Sequence, residues 1–398
     1  MTHSIFPHRT ALLAATFPAG RGSAGPGAAP PPESSLFSTA ITRPTDGKNG
    51  YEDLVAAADL ILGRPWYARV GDARLTLRDR RTILADPPCR KALALVQRGL
   101  RKPISSSRAE LNYETRLPEL AVFRSLGRVI VHEIYVRCAD GDTAGTVPAA
   151  SLGLNLGYAI QLQTLIHGLV GVAIETMVLK EAIARLPQLT LRDCASLLRV
   201  CLDRLDRPSS FVSLVRQELR TMQQQIPQLV DRARNGGVAE VAALLGGDPQ
   251  STDRWRGILD RPESTQRFVA DAGVEARRVE RLIEEQAARP VWERRFPMAP
   301  PELSPGAAMV WMLLPALQTV NGAFAREEAH LRLMATHVAV HAFRWQHGRL
   351  PATLPELRAG DFAVDPFTGG VLEYVLVGES YRLISAGDPT GEALELLP

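Results

Sequence analysis

The sequence of 398 residues is poor in lysine and low in net charge. Lysine occurs only four times among its 46 basic residues, so arginine carries nearly all of the positive charge. A formal net charge of +3 is small for this length and argues against a nucleic-acid partner. The densest basic stretch, residues 72–81, has no interleaved aromatic residues and includes two aspartates. We interpret it as a solvated helix face and predict no nucleic-acid partner.

Motifs of known chemistry are also missing. The chain has no Gly-x-Ser-x-Gly motif, no phosphate-binding loop and no Cys-x-x-Cys pair. Residues 20–25 match Gly-x-Gly-x-x-Gly, but no strand precedes them and the prolines that follow cannot open a helix. We therefore predict no catalytic residues and no cofactor, and the sequence leans towards a protein that is not an enzyme.

Cysteine is scarce, with four residues in the chain. Cys194 and Cys201 fall on one predicted helix, where a seven-residue separation places their Cα atoms about 10 Å apart. That distance is beyond the reach of a disulfide bond. Because both share a face with Leu197 and Leu198, we predict buried thiols.

The first 48 residues have the composition of a leader, rich in glycine, alanine and proline. They begin with a basic segment and a short apolar run at residues 11–17, which resembles a signal peptide with a shortened core. We predict a disordered leader or a degenerate signal over residues 1–48. This favours an extracytoplasmic or envelope-associated location, with a cytoplasmic location as the alternative.

The longest stretch without charged residues, Thr143 to Ile174, is long enough to span a bilayer. It also contains glycines and four polar residues, namely Asn155, Gln161, Gln163 and His167. These raise the cost of insertion, so we predict a buried helix instead. A second apolar run, Gly306 to Leu317, is too short and contains a proline. No integral membrane span is predicted.

From residue 51 the apolar residues recur at intervals of three and four, which is typical of α-helices. We find no strict repeat, so residues 49–303 are predicted to form an irregular multi-helix array. A long helix is predicted to begin at Ser304, to kink at Pro315 and to end at His347, because Gly348 and Pro351 stop it.

This long helix has two apolar bands. The first band is Leu331, Met334, Val338 and Trp345, and the second is Leu333, Val340 and Phe343. A helix that is apolar on two sides is normally packed on two sides. We predict that it is shared between the helical array and a β-hairpin formed by residues 371–377 and 381–386. Residues 304–398 would thus be a small α+β module, and the fold class is mainly α.

The C-terminal residues resemble the soluble region of the type II secretion major pseudopilins. The likeness covers roughly the last 70 residues and rests on FRWQHGRLPATLPEL, DPFTGGVLEY and YRLISAG, which follow the family's order of long helix, helix stop and two strands. In this family a calcium loop follows the last strand, and here only Asp388 and Thr390 correspond to it. The whole chain also looks like a loose group of bacterial envelope proteins that join an irregular helical region to such a module.

The most suggestive polar cluster is Glu327, His330, His337 and His341, which fall on one side of the long helix. Glu-x-x-His occurs in carboxylate-bridged di-iron bundles, but those sites need a second such motif. None is present, so we predict no metal and keep these four residues as candidate ligands only. Two further histidines, His132 beside Glu133 and His167 eight residues before Glu175, are predicted to be isolated and structural.

Three functions remain open. The favoured one is a non-enzymatic protein-interaction or envelope-associated protein with a pseudopilin-like C-terminal module and a protein partner. The second is a cytoplasmic helical scaffold. The third is a metalloenzyme that uses the histidines of the long helix.

Overall fold

The structure is a computed structural model that describes residues 36, 40–42, 45–105, 108, 115–161, 164–237, 265–296, 299–311, 314–357, 360–387 and 393–396. Within these ranges the chain forms eleven α-helices and one three-stranded antiparallel sheet. The helices are α1 (Gly50–Ile61), α2 (Leu77–Ala85), α3 (Pro87–Gly99), α4 (Pro118–Ala139), α5 (Thr143–Ile160), α6 (Leu165–Arg185), α7 (Leu191–Leu205), α8 (Phe211–Arg232), α9 (Thr265–Ala287), α10 (Pro305–Trp311) and α11 (Leu314–His347). The strands are β1 (Glu373–Val377), β2 (Ser380–Ser385) and β3 (Leu394–Leu396). The predicted fold class, mainly α with a small C-terminal α+β part, is confirmed.

Most of the predicted leader lies outside the described residues, and so do Asp388 and Thr390. Near the end of the leader, Leu36, Ala40 and Ile41 are buried against the first helices. The backbone N–H of Leu36 donates to a carboxylate oxygen of Asp59 at 2.7 Å. This end of the leader is therefore part of the folded body.

Several helices begin at residues that satisfy their first backbone N–H groups. Thr76 and Thr190 each accept from the residue three positions on, and the aspartate at that position accepts from the threonine N–H in return. Pro87 stands at the first position of α3, where a missing N–H costs nothing. The long helix α11 ends at His347, because Gly348 adopts a φ of 66° there.

The buried helix predicted in the uncharged stretch of residues 143–174 is interrupted. Helix α5 ends at Ile160, and Thr164 caps α6 by accepting from the N–H of His167. The two helices then pack tightly against each other, which the missing side chain of Gly171 allows. A Cβ atom at that position would lie 2.4 Å from the carbonyl oxygen of Gly157. Among the helices that the structure describes, none combines the length and the apolar character that crossing a membrane requires.

Three apolar clusters form the interior of the described part of the chain, and α11 contributes to all of them. Its first part packs with α8, α9 and α10. Leu331, Met334 and Val338 pack into the cluster built by α1 to α7. Leu333 and Val340 face the C-terminal sheet. The predicted two-sided packing is therefore observed for five of the seven residues, while Trp345 is 57% exposed and Phe343 is only partly buried.

The sheet has one strand more than the predicted hairpin. Strands β1 and β2 are joined by the two-residue turn of Gly378 and Glu379, with Gly378 at a φ of 61°. Strand β3 pairs antiparallel with the other edge of β2. Its three residues carry too little alternation to be recognised in the sequence.

The DPFTG sequence forms the loop that leads into the sheet. Asp365 is 3% exposed, and one of its carboxylate oxygens accepts from the hydroxyl of Ser385 at 2.8 Å and from the N–H of Phe367 at 3.0 Å. The other oxygen accepts from the N–H of Ala386 at 2.9 Å. Asp365 thus ties the entrance of the sheet to the end of β2, which gives the motif a structural role.

All four cysteines are free and buried, as predicted for Cys194 and Cys201. Burial raises the pKa of Cys201 and of Cys89 to about 12, and that of Cys194 to about 11. We expect these three thiols to react with Ellman's reagent at pH 8 about a hundred-fold more slowly in the native protein than in denaturant, because only the thiolate reacts. Detection by mass spectrometry of a disulfide between Cys194 and Cys201 would contradict the helix that carries them.

Candidate functional site

The four polar residues predicted together on α11 are separated by their contacts. Glu327 joins a buried ion cluster, and His330 is bonded through Nδ1 to the carbonyl oxygen of Arg326 at 2.8 Å. His337 faces the sheet. The ring of His341 packs edge-on against the ring of His337, with the two centroids 6.2 Å apart. No three histidine, cysteine, aspartate or glutamate side chains within the described ranges are grouped so that they could hold a metal ion.

The buried ion cluster joins three helices. Arg204 of α7 donates to both carboxylate oxygens of Glu175 of α6, at 2.7 and 3.2 Å, and also to Glu327 of α11. The relative exposure of the three residues is 7%, 0% and 3% respectively. Glu175 therefore has a buried cationic partner. The cluster holds α11 against the helical array.

The electrostatics of this cluster are unbalanced, because two carboxylates share one guanidinium. Burial and the neighbouring Glu327 raise the pKa of Glu175 well above its usual value, and Arg204 only partly opposes this. A carboxyl group with a raised pKa retains its proton at a pH where a solvated one is ionised. The cluster thus approaches neutrality by holding one proton between its two acids.

A polar chain connects the cluster to the surface. The side-chain amide of Gln161 donates to Glu175 at 2.9 Å and accepts from the hydroxyl of Ser210 at 2.6 Å. Gln161 directly follows α5, and the close approach of α5 and α6 at Gly157 and Gly171 brings it within reach of Glu175. The break between the two helices is thus what places a polar group over the buried acid.

A second buried contact joins α11 to the sheet. The hydroxyl of Tyr381 and Nδ1 of His337 lie 2.5 Å apart, and both side chains are at most 3% exposed. Burial lowers the pKa of His337 to about 3 and raises that of Tyr381, so both are neutral at physiological pH. The two neutral groups share one hydrogen bond between the hydroxyl oxygen and Nδ1. This pair fixes the sheet on the long helix.

An open groove of about 740 Å³ lies where the tip of the β1–β2 hairpin overhangs the end of α11. Its lining includes His341, Arg344, Trp345 and Val377. Nδ1 of His341 is buried and has no hydrogen-bond partner among the described residues. Trp345 is 57% exposed, which is unusual for a large aromatic side chain.

Strand β1 continues this surface. It is an edge of the sheet, and Val375, Leu376 and Val377 are 36%, 46% and 53% exposed. The antiparallel register pairs Val375 and Val377 with β2 through their backbone groups, so those of Tyr374 and Leu376 point away from the sheet. A bridge between Val364 and Val371 covers only the start of this edge. We call the groove and the free part of β1 the edge surface.

No family model, no curated protein and no solved structure matches this chain.

Sequence reasoning missed both the ion cluster and the edge surface. A signal for the first was present, because Glu175 ends the uncharged stretch of residues 143–174 and therefore needs a buried partner. The sequence does not say that Arg204 and Glu327 are the partners. For the edge surface, VLEYVLV does show apolar residues on both faces of a strand, and such a strand is either buried on both sides or open to a partner.

Proposed function

We propose that this chain is a non-enzymatic, envelope-associated protein-interaction protein, and that its C-terminal module is pseudopilin-like and binds a partner protein through the edge surface. The observation that carries the proposal is the edge of β1, which no described strand covers beyond the bridge at Val371. Soluble proteins usually guard such edges with lysine, proline or a covering segment, because free strand edges pair with other chains. Here Glu373 is the only charged residue of the strand.

The partner supplies an extended segment. The outward backbone groups of Tyr374 and Leu376 offer two N–H donors and two carbonyl acceptors, which is the pattern that an added strand satisfies. Val375 and Val377 lie on the outer face beside this edge, and Trp345 lies at its end. An incoming strand with apolar side chains at alternate positions would cover all three.

The test is crosslinking in the native cell. A photoreactive amino acid at position 375 should capture one defined protein, and the crosslinked peptide should come from an extended segment of it. The same reagent at the exposed position 78 on α2 is the matched control and should not capture that protein. Capture of an envelope protein agrees with the proposed location, and capture of a cytoplasmic protein replaces it by the scaffold alternative.

The Leu376→Pro substitution tests the mode of binding. It removes an N–H that points away from β2, so the hairpin keeps its own hydrogen bonds. We expect capture from position 375 to fall at least about ten-fold, since each lost backbone pairing weakens an interface by roughly that factor. Leu376→Val retains the N–H and should capture normally. Equal capture by both variants, with unchanged thermal stability, would exclude strand addition.

A partner that proves to be a second copy of this chain is a separate outcome. Light scattering across a range of concentrations would then show a dimer that Leu376→Pro dissociates. That result would retain the edge surface as an interface but would overturn the proposal of a heterologous partner.

A further inference from the structure

A second cavity lies on the helical array, away from the edge surface. It is an open cleft of about 1080 Å³. Three segments form its walls, namely the end of α3 with the residues after it, residues 148–161 of α5 and its end, and residues 207–216 at the start of α8. Small-molecule sites commonly have volumes of about 300–1,000 Å³, so the cleft is large enough for an organic ligand.

The charge of this cleft is one-sided. Four basic residues line it, namely Arg101, Lys102, Arg207 and Arg216, and none of the described lining residues is acidic. Outside the cleft wall, Asp53 pairs with Lys102 at 2.6 Å, and Glu280 pairs with Arg216 at 2.7 Å. Those two cations therefore already have carboxylate partners within the protein.

The other two cations, Arg101 and Arg207, have no carboxylate partner among the described residues, so their charge is available to a ligand in the cleft. Arg101 is exposed, and no described acidic side chain lies within salt-bridge distance of it. Arg207 donates to the side-chain oxygen of Asn155 at 2.7 Å, which is an amide and leaves the positive charge uncompensated. Its guanidinium lies 5.2 Å from the ring centroid of Tyr158, which holds it at the cleft wall. Guanidinium groups bind carboxylate and phosphate oxygens in pairs of hydrogen bonds.

The rest of the lining is not that of a simple ion site. Apolar side chains occupy much of the wall, namely those of Leu100, Ile104, Pro148, Leu152 and Val212. A small hydrated anion would leave this apolar surface in contact with water, whereas a ligand with an apolar body would cover it. Hydroxyl groups of Ser209, Ser210 and Ser213 stand on the side of α8.

From this arrangement we propose that the cleft binds an amphiphilic organic anion. Its phosphate or carboxylate lies against Arg101 and Arg207, and its apolar body lies along the wall formed by α3 and α5. Ser210 connects the cleft to Gln161 and, through it, to the buried Glu175. A ligand in the cleft therefore contacts the polar chain that ends in the ion cluster.

The test uses four probes on the full-length protein with isothermal titration calorimetry. These are 1-naphthyl phosphate, 1-naphthoate, the uncharged 1-naphthol, and inorganic phosphate. We expect one of the two naphthyl anions to bind at least about ten-fold more tightly than both 1-naphthol and inorganic phosphate, because only it satisfies the charge and the apolar wall together. The tighter of the two anions identifies the acidic group. Its affinity should fall with rising salt.

Arg101→Gln and Arg207→Gln should each weaken that binding by about ten-fold, since each removes one charge-assisted contact. Arg78→Gln is the matched control, because it removes an equal charge from an exposed position on α2. Thermal unfolding checks that the variants are folded, and Arg101 is so exposed that its replacement does not disturb packing. Two results would overturn the proposal, namely 1-naphthol binding as tightly as both anions, or all three variants binding like the wild type.

Discussion

Replacement of Arg204 by methionine should destabilise the protein by about 3–5 kcal/mol, because it leaves two buried carboxyl groups without their cation. Glu175 and Glu327 would face each other at 0% and 3% exposure. Methionine has a comparable length, so the effect reports the loss of charge and hydrogen bonds more than the loss of volume. Urea unfolding, followed by circular dichroism, measures it directly.

Glu327→Gln is the matched variant at the same cluster. A glutamine oxygen still accepts from Arg204, and one of the two acidic groups is removed. We expect a loss below about 1.5 kcal/mol, the net value of an ordinary hydrogen bond. If Arg204→Met and Glu327→Gln cost the same, the cluster would not depend on its cation, and the assignment of Arg204 as its centre would be wrong.

The dependence on pH has a definite sign. Burial raises the pKa of Glu175 above its ordinary value of 4.5, so the native state retains a proton that the unfolded chain releases. The contribution of Glu175 to the free energy of unfolding therefore falls as the pH rises above 4.5. Without Arg204 that pKa rises further, so the difference between Arg204→Met and the wild type should be smallest in acid and grow towards neutrality.

The fold was predictable where local chemistry determines it. The stop of α11 needs only Gly348 and Pro351, and the hairpin needs only two apolar runs around Gly378. The two-sided packing of α11 also follows from the spacing of its apolar residues. In each case the residues that decide the structure lie close together in the sequence.

The candidate sites were not predictable, because they depend on contacts between distant segments. Arg204 and Glu327 are 123 positions apart, and no spacing rule connects them. The break after Ile160, which brings Gln161 to Glu175, is marked only by a capping threonine within a long stretch that has no charged residue. The exposure of Trp345 was also unforeseen, because α11 extends beyond the helices that bury its middle and helical periodicity alone does not reveal where a neighbour ends.

Deletion of residues 349–398 should destabilise the whole remaining chain and not only the C-terminal sheet. The deleted segment covers Leu333 and Val340, which are 1% and 0% exposed, and it supplies the Tyr381 hydroxyl that is hydrogen-bonded to His337. Exposing two such side chains costs about 3–6 kcal/mol. That loss is comparable with the total stability of about 5–15 kcal/mol for a typical domain, so we expect aggregation or a large fall in melting temperature.

A single unfolding transition is expected because both apolar faces of α11 are buried against other parts of the protein. Leu331 packs into the helical array and Leu333 packs under the sheet, so neither module can separate without exposing part of the same helix. Leu333→Ala should therefore lower the stability of the entire protein by about 2–5 kcal/mol. Leu191→Ala, at a position 36% exposed on α7, is the control and should change it by less than about 0.5 kcal/mol. The contrary outcome is two separate calorimetric transitions, of which Leu333→Ala shifts only the one at lower temperature. It would show that the sheet folds independently and that the helical array alone stabilises α11.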